Sequence, residues 1–136
     1  MLLVQDIIMK ILIVDDSPTI LKFLVKILNK LNYPDVITAS SAKEAFSILD
    51  NLSVNLILLD WNMPHMNGLE FLQILKNSND LRQIPIIMVT IEKTVDKVKE
   101  AIDNGAEGYI VKPINIELLK LRLKDIEESN LLGFKQ

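Results

Sequence analysis

Cysteine is absent from this 136-residue chain and histidine occurs once, which excludes disulfides, thiolate metal sites, cysteine nucleophiles and a His-rich metal centre. The missing thiols fit a reducing, cytoplasmic setting. No basic excess exists either. Fifteen Lys and Arg stand scattered among eighteen Asp and Glu, for a net charge of -3, so nothing offers a footprint for nucleic acid or anionic lipid. Long apolar runs are lacking too: Asp6 and Lys10 interrupt the first fourteen residues, no positive n-region leads, and no small-residue cleavage site follows. Neither a signal peptide nor membrane insertion is predicted. Glycine and proline are sparse, no repeat or low-complexity segment occurs, and the length predicts one domain. Its bounds are read as 9–129, with residues 1–8 an N-terminal extension or a misplaced start. Residues 130–136 form a C-terminal tail with the character of a frayed terminus.

Apolar runs of strand length, near 10–14, 35–39, 55–59, 85–89 and 108–111, alternate with amphipathic stretches of helical period. A (βα)5 alternation of this kind predicts an α/β fold, doubly wound, with a five-stranded parallel sheet covered on both faces. Helix starts are written in the chain. Ser17 before Pro18 reads as a cap with Pro at the first position, Ser41 with Glu44 as a capping box, and Asn67 with Glu70 as a weaker copy. Ile20, Leu21, Leu24, Leu28 and Leu31 form one stripe; Val95, Val98, Ala101 and Ile102 form another. Both stripes read as core.

Four strand ends carry polar residues: Asp15 and Asp16 after ILIV, Asp60 after LILL, Thr90 after IIMV, and Lys112 before Pro113. Carboxyl ends of strands are where open α/β sheets bind ligands. Carboxylates gathered there repel one another, so either some stay protonated or a cation sits among them, and an all-oxygen set suits a hard ion such as Mg²⁺.

Taken together, ILIVDDS, LILLDWNMPHMNG, PIIMVTIE and GYIVKP, in this order from about Lys10 to Ile126, resemble the response-regulator receiver family, and within it most the chemotaxis receivers. The resemblance implies a flavodoxin-like strand order 2-1-3-4-5, with Lys112–Pro113 cis. It also implies roles. Asp60 would be the phosphoacceptor, attacking a phosphohistidine to become an acyl phosphate. Asp15, Asp16, Asp60 and the backbone carbonyl of Asn62 would hold Mg²⁺. Lys112 and the Thr90 hydroxyl would meet the phosphoryl oxygens. Thr90 and Tyr109 would form the switch, repacking a partner face of Val95, Val98, Ile102, Tyr109 and Val111. Asn62 and Glu92 occupy the positions that tune attack by water on the acyl phosphate. Ile91 stands where the family has a small residue, and its bulk predicts slower self-dephosphorylation than Asn62 and Glu92 alone would give.

Taken singly, these residues have plainer readings. Thr90 could cap a helix, Lys112 could be a surface lysine, Tyr109 could be edge-strand packing, and Trp61 could merely shield the strand end. His65 reads as an exposed loop residue with no role. Their joint register supports a receiver within a two-component system. It would catalyse only its own phosphotransfer and self-dephosphorylation, receive phosphate from a histidine kinase or phosphotransfer protein, and act through a downstream protein such as a flagellar motor switch component. A phosphorelay intermediate is the first alternative. A Mg²⁺-dependent aspartyl-phosphate hydrolase of the haloacid dehalogenase type is a weaker one, because that chemistry wants a second acid where Asn62 stands. A binding module without phosphorylation is weaker still.

Overall fold

The computed structural model describes residues 9–135, with side chains through residue 129. Five strands, β1 (Ile11–Val14), β2 (Val36–Ala39), β3 (Leu56–Leu59), β4 (Ile86–Thr90) and β5 (Gly108–Val111), alternate with five helices. These are α1 (Pro18–Lys30), α2 (Ala42–Leu49), α3 (Gly68–Lys76), α4 (Val95–Asp103) and α5 (Ile116–Lys135). All strand pairings are parallel, in the order β2-β1-β3-β4-β5, as expected. Residues 1–8, read above as an extension, lie outside the described residues.

Alternation along each central strand divides the core. Leu12, Val14, Ile57, Leu59 and Met88 face α2, α3 and α4, packing with Phe71, Leu72, Leu75 and Ala101. Ile11, Ile13, Leu58, Ile87 and Val89 face α1 and α5, packing with Leu24, Leu28, Leu119 and Leu123. Strands buried on both faces read as continuous apolar runs, which is why β1, β3 and β4 were legible. The two edge strands differ. β2 is mostly half-buried and β5 alternates buried with half-buried residues, because an edge strand has one neighbour and incomplete helix cover.

Two local expectations need correction. Ser41 accepts the Glu44 N–H at 3.1 Å, but the Glu44 carboxylate turns to the Ser40 hydroxyl. The complete capping box is the one at Asn67 and Glu70, with bonds of 2.9 and 3.1 Å. The second stripe is not core: in α4 only Ala101 is buried, while Val95 is 81% exposed and Ile102 is exposed. α4 packs on β5 at the sheet edge, where the small Ala101 is buried, Val98 is half-buried, and Val95 and Ile102 are left outward. The last helix, α5, runs to Lys135.

One glycine is required by close approach. The Gly68 N–H bonds to the Trp61 carbonyl at 2.7 Å, and a Cβ at Gly68 would overlap the Asp60 carbonyl oxygen and lie 2.8 Å from the Trp61 Cα. The start of α3 is thereby pressed against the end of β3. Gly68→Ala is expected to destabilise the fold by about 1–3 kcal/mol, since both colliding groups are backbone. Urea unfolding measures it, and an unchanged midpoint would contradict this packing.

Candidate functional site: an acidic cluster at the carboxyl end of the sheet

Sheet register builds the site. Val14 pairs with Leu59, so the residues that follow, Asp15 and Asp60, emerge side by side. The Asp60 N–H bonds to the Val14 carbonyl at 3.0 Å and the Asp15 N–H to the Ala39 carbonyl at 3.1 Å. On the other side Thr90 pairs with Val111, and the Lys112 N–H bonds to the Thr90 carbonyl at 2.9 Å. Lys112–Pro113 is cis, as expected.

Carboxylate oxygens of Asp15, Asp16 and Asp60 lie within 4.8 Å of one another. Asp15 and Asp60 are buried, whereas Asp16 is exposed. Asp15 is fully engaged: one oxygen accepts the Ser17 N–H at 2.9 Å and the other accepts from the Lys112 ammonium at 2.8 Å. Asp60 is not. Its Oδ1 is buried without a hydrogen-bond partner, and the Lys112 ammonium stands 3.7 Å away. Lys112, expected to serve an incoming phosphoryl group, thus pairs more closely with Asp15 than with Asp60. It is the cation nearest the cluster, and it leans toward the more engaged carboxylate.

Burial pushes the Asp60 carboxyl above its ordinary range, and the Asp15 charge pushes the same way. Lys112, the Thr90 hydroxyl and the Asn62 backbone amide pull it back down. An orphaned buried carboxylate oxygen beside two further acids, in an all-oxygen set, fits a hard divalent cation such as Mg²⁺. The cation would supply the positive charge that the cluster lacks.

A hydrogen-bonded chain leaves the site through Thr90, which is fully buried. Its hydroxyl accepts the Glu92 N–H at 3.4 Å, and the Glu92 carbonyl accepts from the Tyr109 hydroxyl at 2.5 Å. Tyr109 is half-buried against the core, and burial followed by the Glu92 and Asp60 charges pushes its hydroxyl up to about 12. It therefore stays a donor at neutral pH. Val98, Val111 and Tyr109 are half-buried and Val95 and Ile102 exposed, so the expected partner residues all reach the surface. Ile91 is 62% exposed, just past β4.

Trp61 is buried, with the Lys97 ammonium 4.5 Å from its ring centroid. Neither that contact nor the role of Gly68 was read from the sequence. For Gly68 a signal existed: a glycine as the first residue of a helix serves no helical need, so its neighbourhood must require it. His65 is exposed with φ of 71°, a loop residue as expected.

The raised Asp60 carboxyl implies a sign. Below its unfolded-state value the acid is protonated in both states and costs nothing; as pH rises through the folded value, folding must force an unfavourable charge and stability is lost. Asp60→Asn, free of that charge, is expected to melt higher than the natural chain in metal-free buffer at pH 7. The gain should shrink as pH falls through the carboxylate range. A variant that melts lower at pH 7 would contradict the electrostatic account.

Comparison with known proteins places this geometry. The family described as Response regulator receiver domain matches residues 11–124. The chain is 39% identical over 123 residues to the chemotaxis protein CheY1 of Helicobacter pylori strain J99, covering 90% of this chain and 99% of that one. It is 40% identical over 119 residues to a CheY homolog of Campylobacter jejuni, covering 87% and 92%. Among solved structures, a CheY-like receiver domain protein from Methanospirillum hungatei superposes with a TM-score of 0.83 at 30% identity, over 93% of this chain and 99% of that one. CheY4 of Vibrio cholerae superposes with a TM-score of 0.80 at 33% identity, over 88% and 99%. The chain therefore belongs to the response regulator receiver domain family of two-component signalling.

Proposed function

We propose that this chain is a phosphorylation-driven switch of chemotaxis signalling, with Asp60 as phosphoacceptor. The observation that carries the reading is the buried, unpartnered Oδ1 of Asp60 inside a cluster of three carboxylates met by the Lys112 ammonium. A carboxylate oxygen of Asp60 attacks the phosphorus of a phosphohistidine on a kinase or phosphotransfer protein. The P–N bond breaks, its electron pair stays on the imidazole nitrogen, which takes a proton, and an acyl phosphate remains on Asp60. Asp15, Asp16, Asp60 and the Asn62 carbonyl would hold Mg²⁺, which offsets the repulsion between anionic nucleophile and anionic phosphoryl group.

The chain's own residues do the rest. Lys112, now on Asp15, is within reach of a group on Asp60 and can move to its oxygens. The Thr90 hydroxyl, turning to the phosphoryl group, would release the Glu92 N–H. Because Tyr109 holds the other side of the same peptide segment, the loop between β4 and α4 and the tyrosine respond together. Val95, Val98, Ile102, Tyr109 and Val111 would present the altered face to a target such as a flagellar motor switch component. The identity to chemotaxis proteins supports that choice over a phosphorelay intermediate. Among the described residues no helix is long and apolar enough to cross a membrane, which suits work in the cytoplasm. The chain would be no enzyme beyond its own phosphotransfer and dephosphorylation, since Asn62 stands where an aspartyl-phosphate hydrolase needs an acid.

Trp61, the sole tryptophan and adjacent to the acceptor, reports both steps. Mg²⁺ and then beryllium fluoride, a phosphoryl mimic, should each change its emission, and Asp60→Asn should abolish the second change. A second change that survives in Asp60→Asn would displace the acceptor. Ile91, exposed at the first position after Thr90, is expected to hinder water. Ile91→Ala should therefore hydrolyse its acyl phosphate several-fold faster, and an equal or slower rate would remove that role.

A further inference from the structure

We propose that Lys97 is a positioning residue for the switch: its ammonium, seated on the Trp61 ring, clamps the first turn of α4 to the strand end that carries Asp60. The proposal rests on the receiver reading and adds a second route from the acceptor to the partner face.

Four observations converge. The Lys97 ammonium lies 4.5 Å from the centroid of Trp61, within the range of a cation–π contact. Trp61 directly follows Asp60, is 4% exposed, and its carbonyl is fixed by the Gly68 N–H, so the ring is a firm seat. Lys97 is the third residue of α4, whose cap Thr94 accepts the Lys97 N–H at 3.2 Å. A cation there opposes the helix dipole, and no carboxylate among the described residues pairs with its ammonium. A locally unfavourable charge without an ionic partner is explained by the ring beneath it. Lastly, α4 is poorly anchored. It buries Ala101 alone, whereas α3 buries Gly68, Phe71, Leu72 and Leu75. Its far end is tied through Asn104 to Gln73 at 3.2 Å, but Val95 in the first turn stands 81% exposed. Lys97 is therefore the tether of the turn that carries Val95 and Val98.

The consequence is a coupling distinct from the Thr90–Glu92–Tyr109 chain. That chain reaches the loop before α4 and strand β5, whereas the Lys97 contact reaches the helix itself. Any shift of Trp61 when Asp60 gains a phosphoryl group would pass to α4 through the ammonium.

The test compares the natural chain with Lys97→Gln, which keeps a polar side chain and the helix propensity but loses the charge, and with Lys97→Arg, which keeps a cation for the ring. In metal-free protein, Lys97→Gln should raise acrylamide quenching of Trp61 about two-fold or more. It should also speed amide exchange across residues 98–102 by about two- to five-fold, the range an exposed to half-buried cation–π contact supports. Lys97→Arg should match the natural chain in both. If Lys97 served only as a misplaced charge at a helix start, Lys97→Gln would slow exchange instead, so the sign decides. With Mg²⁺ and beryllium fluoride, the natural chain should change its exchange in α4, and Lys97→Gln should lose at least half of that change. Unaltered quenching and exchange in Lys97→Gln, or failure of Lys97→Arg to restore them, overturns the clamp. A natural chain silent to the mimic removes the receiver reading, while the metal-free comparison still supports or overturns the clamp by itself.

Discussion

Two parallel strands in register force Asp15 and Asp60 to leave the sheet together, and that enforced proximity of like charges organises the rest of the site. Burial denies Asp60 the water that would relieve it, and the Lys112 ammonium is held at 2.8 Å by Asp15 while standing 3.7 Å from Asp60. The fold thus maintains an unfavourable arrangement on a rigid scaffold of buried β1 and β3 residues. Such an arrangement is relieved by incoming positive charge. In the proposed function it would then accept a phosphoryl group, whose own charge must be met in turn.

That tension has structural outlets. Thr90 sits at the end of the neighbouring strand with its hydroxyl donating toward Asp60 and accepting the Glu92 N–H, so one hydroxyl links the acid cluster to that amide. The Tyr109 hydroxyl grips the opposite side of the same segment. In the proposed switch a shift at Thr90 would be felt on β5 through these bonds. Around this segment lie two strongly exposed apolar residues, Ile91 in the loop after β4 and Val95 in the first turn of α4, a helix that buries one side chain. Elements meant to move are drawn from the loosely packed part of a fold, and α4 fits that description beside the tightly packed α3.

Much of this was written in the sequence because the strands that matter are central. Continuous apolar runs of four or five residues, each ended by a polar residue, located β1, β3, β4 and the site residues at their tips. Resemblance supplied the strand order and the roles. What stayed hidden depends on who faces whom. The α4 stripe Val95, Val98, Ala101 and Ile102 has a helical period, yet period cannot tell a helix over the middle of a sheet from one at its edge. The Ser41 and Asn67 caps carry the same pattern, and only the competing Ser40 hydroxyl distinguishes them. Lys112 reads as a phosphate-binding lysine, while its resting partner follows from the geometry of the cluster. Lys97 is one lysine among many until the fold brings it over Trp61.

The central claim is that folding creates, at residue 60, a carboxylate poised to carry a phosphoryl group. Peptide mass spectrometry after incubation with a histidine-phosphorylated donor and Mg²⁺ tests it most directly. The account predicts one added phosphoryl group, mapped to Asp60 and lost on mild alkaline treatment. An unmodified chain, or a phosphoryl group mapped to any other residue, would contradict it.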